Sequence, residues 1–395
     1  MQESLGNRSE SCFRPADEFP GIRALLRDQT IAPDAFNALI SRHDEMLLYT
    51  LDATNGNHHL SYLDYFGAGR RIVDAFRELV DWYFGGFRKV SSFLDFASGY
   101  GRGIRYLVQE LPPERVWVCD IYAEAMDFQR RMHGVNAVVS VSDPDAFPPV
   151  GLPASPGFDC ITAVSFFSHV PKATFARWMA KLYGMLAPGG MLVFSVHDIS
   201  MTGSPSGPDK DFVFFPNSES RSLDAQEYGT TYVSERAVRD IIRHVLPAHV
   251  TVHRIPKGIS YYQDVYVVAD DPGRAAKRLA FYHHPQGWVN TIALGASGNL
   301  ELAGWAADPN PGGRIEEIRV MVNGQIVQRC MPYATMPDVA AKVGEFAKLS
   351  GWWCQVGREQ VKAGDVVLVK AINTAGLEKV LVADTLERLV PKAVA

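Results

Sequence analysis

The spacing of apolar positions changes along the chain, and each change marks a different architecture. After about twenty polar residues, the segments PGIRALLRDQ, PDAFNALISRHDEMLLYTLD and AGRRIVDAFRELVDWYFGG carry apolar side chains at helical intervals and predict a helical leader over residues 1–88. From Ser91 short apolar runs alternate with helix-like segments: SSFLDF, GIRYLVQEL, RVWVCD, AEAMDFQRRM, NAVVSV, FDCITAV, KATFARWMAKLYGML and MLVFSV. This alternation predicts an α/β architecture over residues 89–270, a doubly wound, mostly parallel sheet with crossover helices. The strands are apolar on both faces, as a sheet covered on two sides requires.

The α/β stretch closes on a helical pattern, SERAVRDIIRHVL, and two closely connected strands, VTVHRI and QDVYVVAD. An antiparallel terminal hairpin of this kind is not needed by an ordinary dinucleotide-binding fold. Residues 271–286 read as a linker. Beyond them the helical signal gives way to alternating runs, TIALGAS, NLELAGWAAD, IEEIRVMVNGQIVQR and DVVLVKAINTAGLEKVLVAD, and predicts an all-β sandwich over residues 287–395. Asn323-Gly324, between two alternating runs, is a two-residue hairpin signal.

Composition narrows the function classes. A chain of 395 residues is expected to form two or three domains. Its net charge of −5 supplies no general attraction for phosphate backbones, so nucleic acid is not an expected partner. The cysteines, Cys12, Cys119, Cys160, Cys330 and Cys354, form no CxxC pair and suit a reducing compartment better than a disulfide scaffold or a zinc site. Cys119 and Cys160 fall in apolar runs and read as core thiols. MQESLGNRSESCFRPADEF lacks the basic start and apolar core of a secretion signal. No run approaches the roughly eighteen apolar residues of a membrane span, so a cytoplasmic protein is expected.

The chemistry concentrates in FLDFASGYGRG, residues 93–103. A buried strand ends at Asp95, and Ala97, Ser98, Gly99 and Gly101 follow where the backbone must turn sharply and come close to a ligand. The segment RGIRYLVQEL then predicts a helix whose free N–H groups face the turn. Dinucleotide sites place a third glycine three positions after the second, for close packing of the helix; here that position is Ile104. The spacing matches instead the acid-x-Gly-x-Gly-x-Gly turn of a methyl-donor site, with Ala97 in place of the first glycine. The next strand ends at Asp120, where a carboxylate can accept hydrogen bonds from both ribose hydroxyls of a nucleoside.

Residues 91–268 resemble a class I S-adenosylmethionine-dependent methyltransferase. The likeness rests on FLDFASGYGRG and VCDI, on FDCITAVSFFSHVP, on the helix leading to LAPGGMLVFSVHD, and on the terminal QDVYVV strand, all in the order of that family. It implies a Rossmann-like fold with S-adenosylmethionine as cofactor. Asp95 would hold the methionine amino group, Gly99 and Gly101 would pass beneath the methionyl and ribose moieties, Asp120 would bind the ribose, and Ile121 would flank the adenine. SDPDAF resembles the segment that meets the adenine edge, with Asp143 or Asp145 as the candidate; the same residues also suit a solvated turn with a helix cap. The leader, with Asn57, His58, His59, Tyr62, Asp64 and Tyr65, would close over the donor and line the acceptor pocket.

Loops at the carboxyl ends of the fourth and fifth strands border the methyl group in this family, and they carry Ser165, Phe166, His169, His197 and Asp198. His169 or His197 can serve as a general base if the acceptor is a hydroxyl, because an imidazole titrates near neutral pH. Each also has a structural reading, His169 beside a helix start and His197 just past a buried strand. The expected acceptor is a small molecule or a saccharide, methylated on oxygen or nitrogen. No metal site is expected. Two other readings remain open at this level, an NAD(P)-dependent oxidoreductase and a non-catalytic adapter that binds the donor. The last domain resembles a β-sandwich module appended to bacterial methyltransferases and glycosyltransferases. Its tryptophans, Trp288, Trp305, Trp352 and Trp353, are expected in the core or at a partner contact.

Overall fold

The computed structural model describes residues 12–15, 36–153, 157–203, 211–217 and 223–390. Its contacts divide the chain into one unit formed by Met1–Arg71 with Tyr282–Ala395, and a second formed by Ile72–Phe281. Among the described residues, no helix is long and apolar enough to cross a membrane.

Among the described residues, the leader departs from its helical periodicity around Ile40. PGIRALLRDQ lies outside the described residues. Within PDAFNALISRHDEMLLYTLD, Ile40–Ser41 (β2) instead pairs antiparallel with Cys12–Phe13 (β1). The helix starts only at α1, Glu45–Ala53, because Asp44 accepts from the N–H groups of Met46 and Leu47 and so supplies the cap. A second helix, α2 (His58–Phe84), follows; its residues to Arg71 belong with the first unit and those from Ile72 with the second.

In the second unit the strands run β3 (Phe93–Phe96), β4 (Val116–Asp120), β5 (Asn136–Val139), β6 (Phe158–Ala163), β7 (Leu186–Asp198), β8 (Phe212–Phe215), β9 (Thr230–Val233), β10 (Thr251–Ile259) and β11 (Gln263–Ala269). The helices between them are α3 (Ile104–Leu107), α4 (Ala123–His133), α5 (Lys172–Tyr183) and α6 (Glu235–Val245). The main sheet order is β10-β11-β7-β6-β3-β4-β5. Strands β3 to β7 are mutually parallel, and the terminal hairpin β10–β11 enters antiparallel through β11 against β7. Every residue of β11 is buried, as a strand covered on both faces requires. Phe175, Trp178, Met179 and Leu182 of α5 join Val238, Ile241 and Ile242 of α6 in one core with Phe194, Tyr266 and Val268 of the sheet.

The pattern predicts neither β8 nor β9. β9 extends the carboxyl end of β7 in parallel, pairing His197 with Tyr232. The helix expected over RGIRYLVQEL shrinks to the single turn α3. Arg105, Tyr106 and Leu107 are all buried, so the segment has no solvent face, and the Gln109 amide donates to the Arg105 carbonyl at 3.1 Å where the helix would continue.

The sandwich of the first unit comprises β12 (Gln286–Leu294), β13 (Leu300–Ala307), β14 (Ile315–Val322), β15 (Gln325–Cys330), β16 (Ala334–Thr335), β17 (Leu349–Val356), β18 (Val366–Asn373) and β19 (Glu378–Thr385). They form two four-stranded sheets, β12-β13-β17-β16 and β15-β14-β18-β19. Asn323 and Gly324 turn the β14–β15 hairpin with φ of 48° and 82°, the left-handed pair that a two-residue turn requires. The leader packs here: Phe13, Ile40, Leu47, Tyr62, Tyr65 and Phe66 share a core with Met321, Val366, Leu368 and Ala383. Tyr65 donates to Asp44 at 2.5 Å, and Asn57 donates to the Ala383 carbonyl at 3.0 Å.

The tryptophans divide between the core and the surface. Trp352 is 3% exposed, but Trp353 is 45% and Trp288 is 61% exposed. Consecutive residues on a strand point to opposite faces, so β17 can bury only one of its pair. Trp288 pairs with the partly buried Trp305 across β12 and β13. Trp352 reaches the core over Gly304, its cross-strand partner. A Cβ at Gly304 would overlap the Trp288 carbonyl oxygen and come within 3.0 Å of the Trp352 ring. Gly304→Ala is therefore expected to destabilise the sandwich by about 1–3 kcal/mol, read as a lower midpoint in its urea transition monitored by tryptophan fluorescence; an unchanged midpoint would show that the strands can move apart freely.

Candidate active site

The site is built at the carboxyl ends of the parallel strands. β3 and β4 align Phe96 with Cys119, so the chain leaving β3 must reverse over the end of β4. The Ala97 N–H donates to the Cys119 carbonyl at 2.7 Å, and the Gly99 N–H donates to Asp120 Oδ2 at 2.8 Å. Ala97, Gly99 and Gly101 take positive φ values of 58°, 54° and 76°. Ala97 thus keeps the left-handed conformation that a glycine reaches more easily, at a cost of about 1–2 kcal/mol.

Two carboxylates flank this turn. Asp95 is partly buried and accepts from Thr162 Oγ1 of β6 at 2.7 Å. Loss of water raises its carboxyl to about 7; the Thr162 hydrogen bond opposes the rise and the charge of Asp120 adds to it. Asp120 is buried, and its Oδ1 accepts the Tyr122 N–H at 3.1 Å. Burial raises its carboxyl as well, against backbone donors from Gly99, Tyr122 and Ile121. Ile121 is partly exposed directly beyond Asp120.

Gln129 of α4 is a site residue that the sequence pattern misses. It is fully buried, and its amide nitrogen donates to Ser98 Oγ and to the Gly99 carbonyl, each at 2.8 Å. A Cβ on Gly101 would lie 2.8 Å from Gln129 Oε1, so the glycine leaves room for this brace. Its trace in the sequence is a polar residue in the inward stripe of α4, among the buried Ala125, Met126 and His133.

From Asp95 a polar layer continues across β6 and β7. Ser165, left-handed at φ 63°, donates its N–H to Ser195 Oγ at 2.8 Å. Gln263, the first residue of β11, accepts from Ser195 Oγ at 2.7 Å, and its amide nitrogen stands 2.9 Å from Ser165 Oγ and 3.2 Å from His197 Nε2. An amide nitrogen only donates, so His197 Nε2 is the acceptor and the ring is neutral. Burial lowers the His197 imidazole to about 4, and His169 nearby lowers it further, while a backbone hydrogen bond with Thr231 acts in the opposite direction.

Aromatic rings surround this layer. Tyr232 and Tyr262 lie 5.5 and 5.3 Å from the His197 ring, and Phe215 lies 6.1 Å from Tyr232. Tyr262 is 52% exposed. His169 stacks on Tyr228 at 4.8 Å and bonds the Gly229 carbonyl through Nδ1 at 2.8 Å. It does not cap the next helix: α5 begins at Lys172, after Pro171. Asp198 pairs with Arg254 at 2.9 Å, and Phe166 packs against Phe96 and Trp178.

Asp143 and Asp145 lie away from these contacts. Both are exposed, both reach Arg177 at 2.7 Å, and Asp143 also accepts the Asp145 N–H. This is the capped, solvated turn. In the first unit, His59 stands 3.5 Å from Asp384, and His58 lies 3.5 Å from the Tyr62 hydroxyl. Among the described residues, no group of three or more His, Cys, Asp or Glu side chains is arranged to hold a metal ion.

Residues 94–192 match the family model described as a methyltransferase domain. No curated protein sequence matches the chain. Among solved structures, an S-adenosylmethionine-dependent methyltransferase from Clostridium acetobutylicum is 14% identical with a TM-score of 0.37, covering 52% of this chain and 92% of its own. The plantazolicin methyltransferase BamL, solved with a triazolic desmethylPZN analog and SAH, is 11% identical with a TM-score of 0.39, covering 64% of this chain and 97% of its own. The match begins at Leu94 and ends within β7, so it spans the turn after β3 and includes Asp95, Asp120 and Ser165. The part of the α/β unit from Leu94 to Leu192 is thus similar to a methyltransferase domain.

Proposed function

We propose that the α/β unit binds S-adenosylmethionine over the turn after β3 and transfers its methyl group to an oxygen or nitrogen of a small molecule or saccharide. The observation that carries this reading is the placement of Asp95 and Asp120 at the ends of adjacent parallel strands, with the left-handed turn between them. Among the described residues no cation acts on Asp95, which is poised to lose its proton near neutrality; the methionyl ammonium is the charge that would complete it. Asp120 spends one lone pair on each backbone donor, and a carboxylate has further lone pairs for the ribose hydroxyls. Ile121 offers an apolar surface to the adenine, while Ala97, Ser98, Gly99 and Gly101 shape the floor. Ser165 and Phe166 border the methyl end. Asp143 and Asp145 take no part, because Arg177 and the cap engage them.

Methyl transfer from a sulfonium is an in-line displacement: the acceptor lone pair forms the new bond to carbon as the carbon–sulfur bond breaks and the electron pair stays on sulfur. Holding the acceptor behind the methyl supplies much of the rate. The rings of Tyr228, Tyr232, Tyr262 and Phe215 would receive the apolar face of the acceptor. His197 is held as a hydrogen-bond acceptor from Gln263 and is a weak base, so positioning rather than proton abstraction is its part. His169 is tied to Gly229 and Tyr228, and its part is likewise structural.

Three outcomes follow. Below pH 7 Asp95 must release a proton before it can pair with the ammonium. The affinity for S-adenosylmethionine by calorimetry is expected to fall up to about tenfold per pH unit on acidification, with proton release on binding, and Asp95→Asn should abolish both the slope and tight binding. A flat profile in the wild type would remove Asp95 from the site. Gly101→Ala is expected to raise the Kd for the donor at least about tenfold by displacing Gln129, while the melting temperature changes by only a few degrees. For kcat, the pH–rate profile is expected to show no inflection from His197 above pH 5, and His197→Asn to retain activity within about tenfold of wild type; a loss near a thousandfold would reinstate the general base.

A further inference from the structure

The outer face of one sandwich sheet carries three indoles in a fixed register. Antiparallel pairing sets Trp288 of β12 opposite Trp305 of β13, Trp305 opposite Gly351 of β17, and Ala303 opposite Trp353. Residues paired across neighbouring strands point to the same face, so these rings leave the side opposite the core residues Leu302 and Trp352. Trp288 and Trp353 are exposed, and Trp305 is partly buried between them. Two strands and two residues separate Trp288 from Trp353, which sets their backbones about 12 Å apart. Ala303 leaves the space beside Trp353 low. Over Gly351 the gap is filled by Met336, whose Cγ would lie 3.0 Å from an added Cβ.

Charge and area select the occupant. Among the outward positions of these three described strands, Glu301 alone is charged, and the Gln355 amide opposite it donates to Glu301 Oε1 at 3.0 Å. An anion would meet that carboxylate with no cation beside it, and the partnered carboxylate offers little to a free cation. A second protein is also a poor match. Strands of nine, eight and eight residues give a face of about 370 Å², under half of the roughly 800 Å² that each partner buries in a stable interface. The face fits a neutral chain with apolar flat sides and a polar rim. A pyranose ring with equatorial substituents has that form: its axial C–H groups meet the negative face of an indole, and its hydroxyls point sideways to amide and carboxylate groups.

We propose that the outer face of β12, β13 and β17 binds an extended, neutral, β-linked gluco-configured saccharide chain. Its sugar rings stack on Trp288 and Trp353, and its hydroxyls bond the Glu301 and Gln355 pair, which lies two residues beyond Trp353 on the same face. The separation of the two exposed indoles requires several linked sugars, so a single sugar engages one indole at a time. The side chains of this site all belong to the sandwich, and the proposal does not rest on methyl transfer by the α/β unit.

The test uses the full chain, with cellohexaose as the probe and glucose as the comparison, followed by tryptophan fluorescence. Cellohexaose is expected to change the emission saturably, and glucose at the same concentration to leave it nearly unchanged. Trp288→Ala and Trp353→Ala should each raise the Kd about fivefold or more, and the double variant should show no response. Calorimetry on the same variants is expected to find the affinity for S-adenosylmethionine within about twofold of wild type, so failure of the donor site and failure of this one are read separately. If either variant fails to fold, N-bromosuccinimide oxidation of the wild type, mapped by mass spectrometry, should modify Trp288 and Trp353, and cellohexaose should protect both. The proposal is overturned by the absence of a saturable response at millimolar cellohexaose, by an equal response to glucose, or by an unchanged Kd in the double variant. A dimer in sedimentation that the double variant dissolves would also overturn it, in favour of a second copy on this face.

Discussion

The reversal of the chain over the end of β4 is the constraint on which the α/β unit depends. Parallel register brings Phe96 beside Cys119, and the backbone after β3 then has only a few residues in which to turn. The Cys119 carbonyl takes the Ala97 N–H, and the Asp120 carboxylate takes that of Gly99. Backbone donors this deep are costly to leave unpaired, so the turn and the strand ends fix one another. Bringing Asp95 and Asp120 to one end of the sheet is a by-product of that pairing, and burial raises both carboxyls there.

The polar layer beyond the turn extends the same logic. Thr162 bonds Asp95, and Ser165, Ser195, Gln263 and His197 Nε2 are linked in turn beyond the end of β6 and across β7 and β11. A network of this kind is favourable only when its members are paired, and pairing fixes protonation. His197 is neutral because Gln263 presents a donor to it, and burial reinforces that state. The result is an uncharged polar layer bordered by the aromatic rings of Tyr232 and Tyr262.

The other unit follows a different rule. Its two sheets bury a conventional apolar core, and the leader adds a second core through Tyr62, Tyr65 and Phe66. Strand alternation then forces Trp353 outward as Trp352 goes in, and leaves Trp288 on the surface. Close packing at Gly304 arises where β12 and β17 flank β13 within one sheet.

Much of this architecture is encoded locally. Runs such as FDCITAV and QDVYVVAD are apolar on both faces and can only be buried strands, Asn323-Gly324 permits the φ values of a tight hairpin, and FLDFASGYGRG carries the acid and glycines that a close-approach turn demands. These features depend on neighbours in the chain, so periodicity and backbone freedom reveal them. Tertiary structure decided the rest: that Gln129 braces the turn, that Gln263 neutralises His197, that Tyr232 reaches His197 through an added strand, and that Asp143 turns to Arg177. Those contacts join residues tens of positions apart through strand register and helix rotation, and a side chain's chemistry there is set by what packs against it, which no local pattern of apolar and polar positions contains.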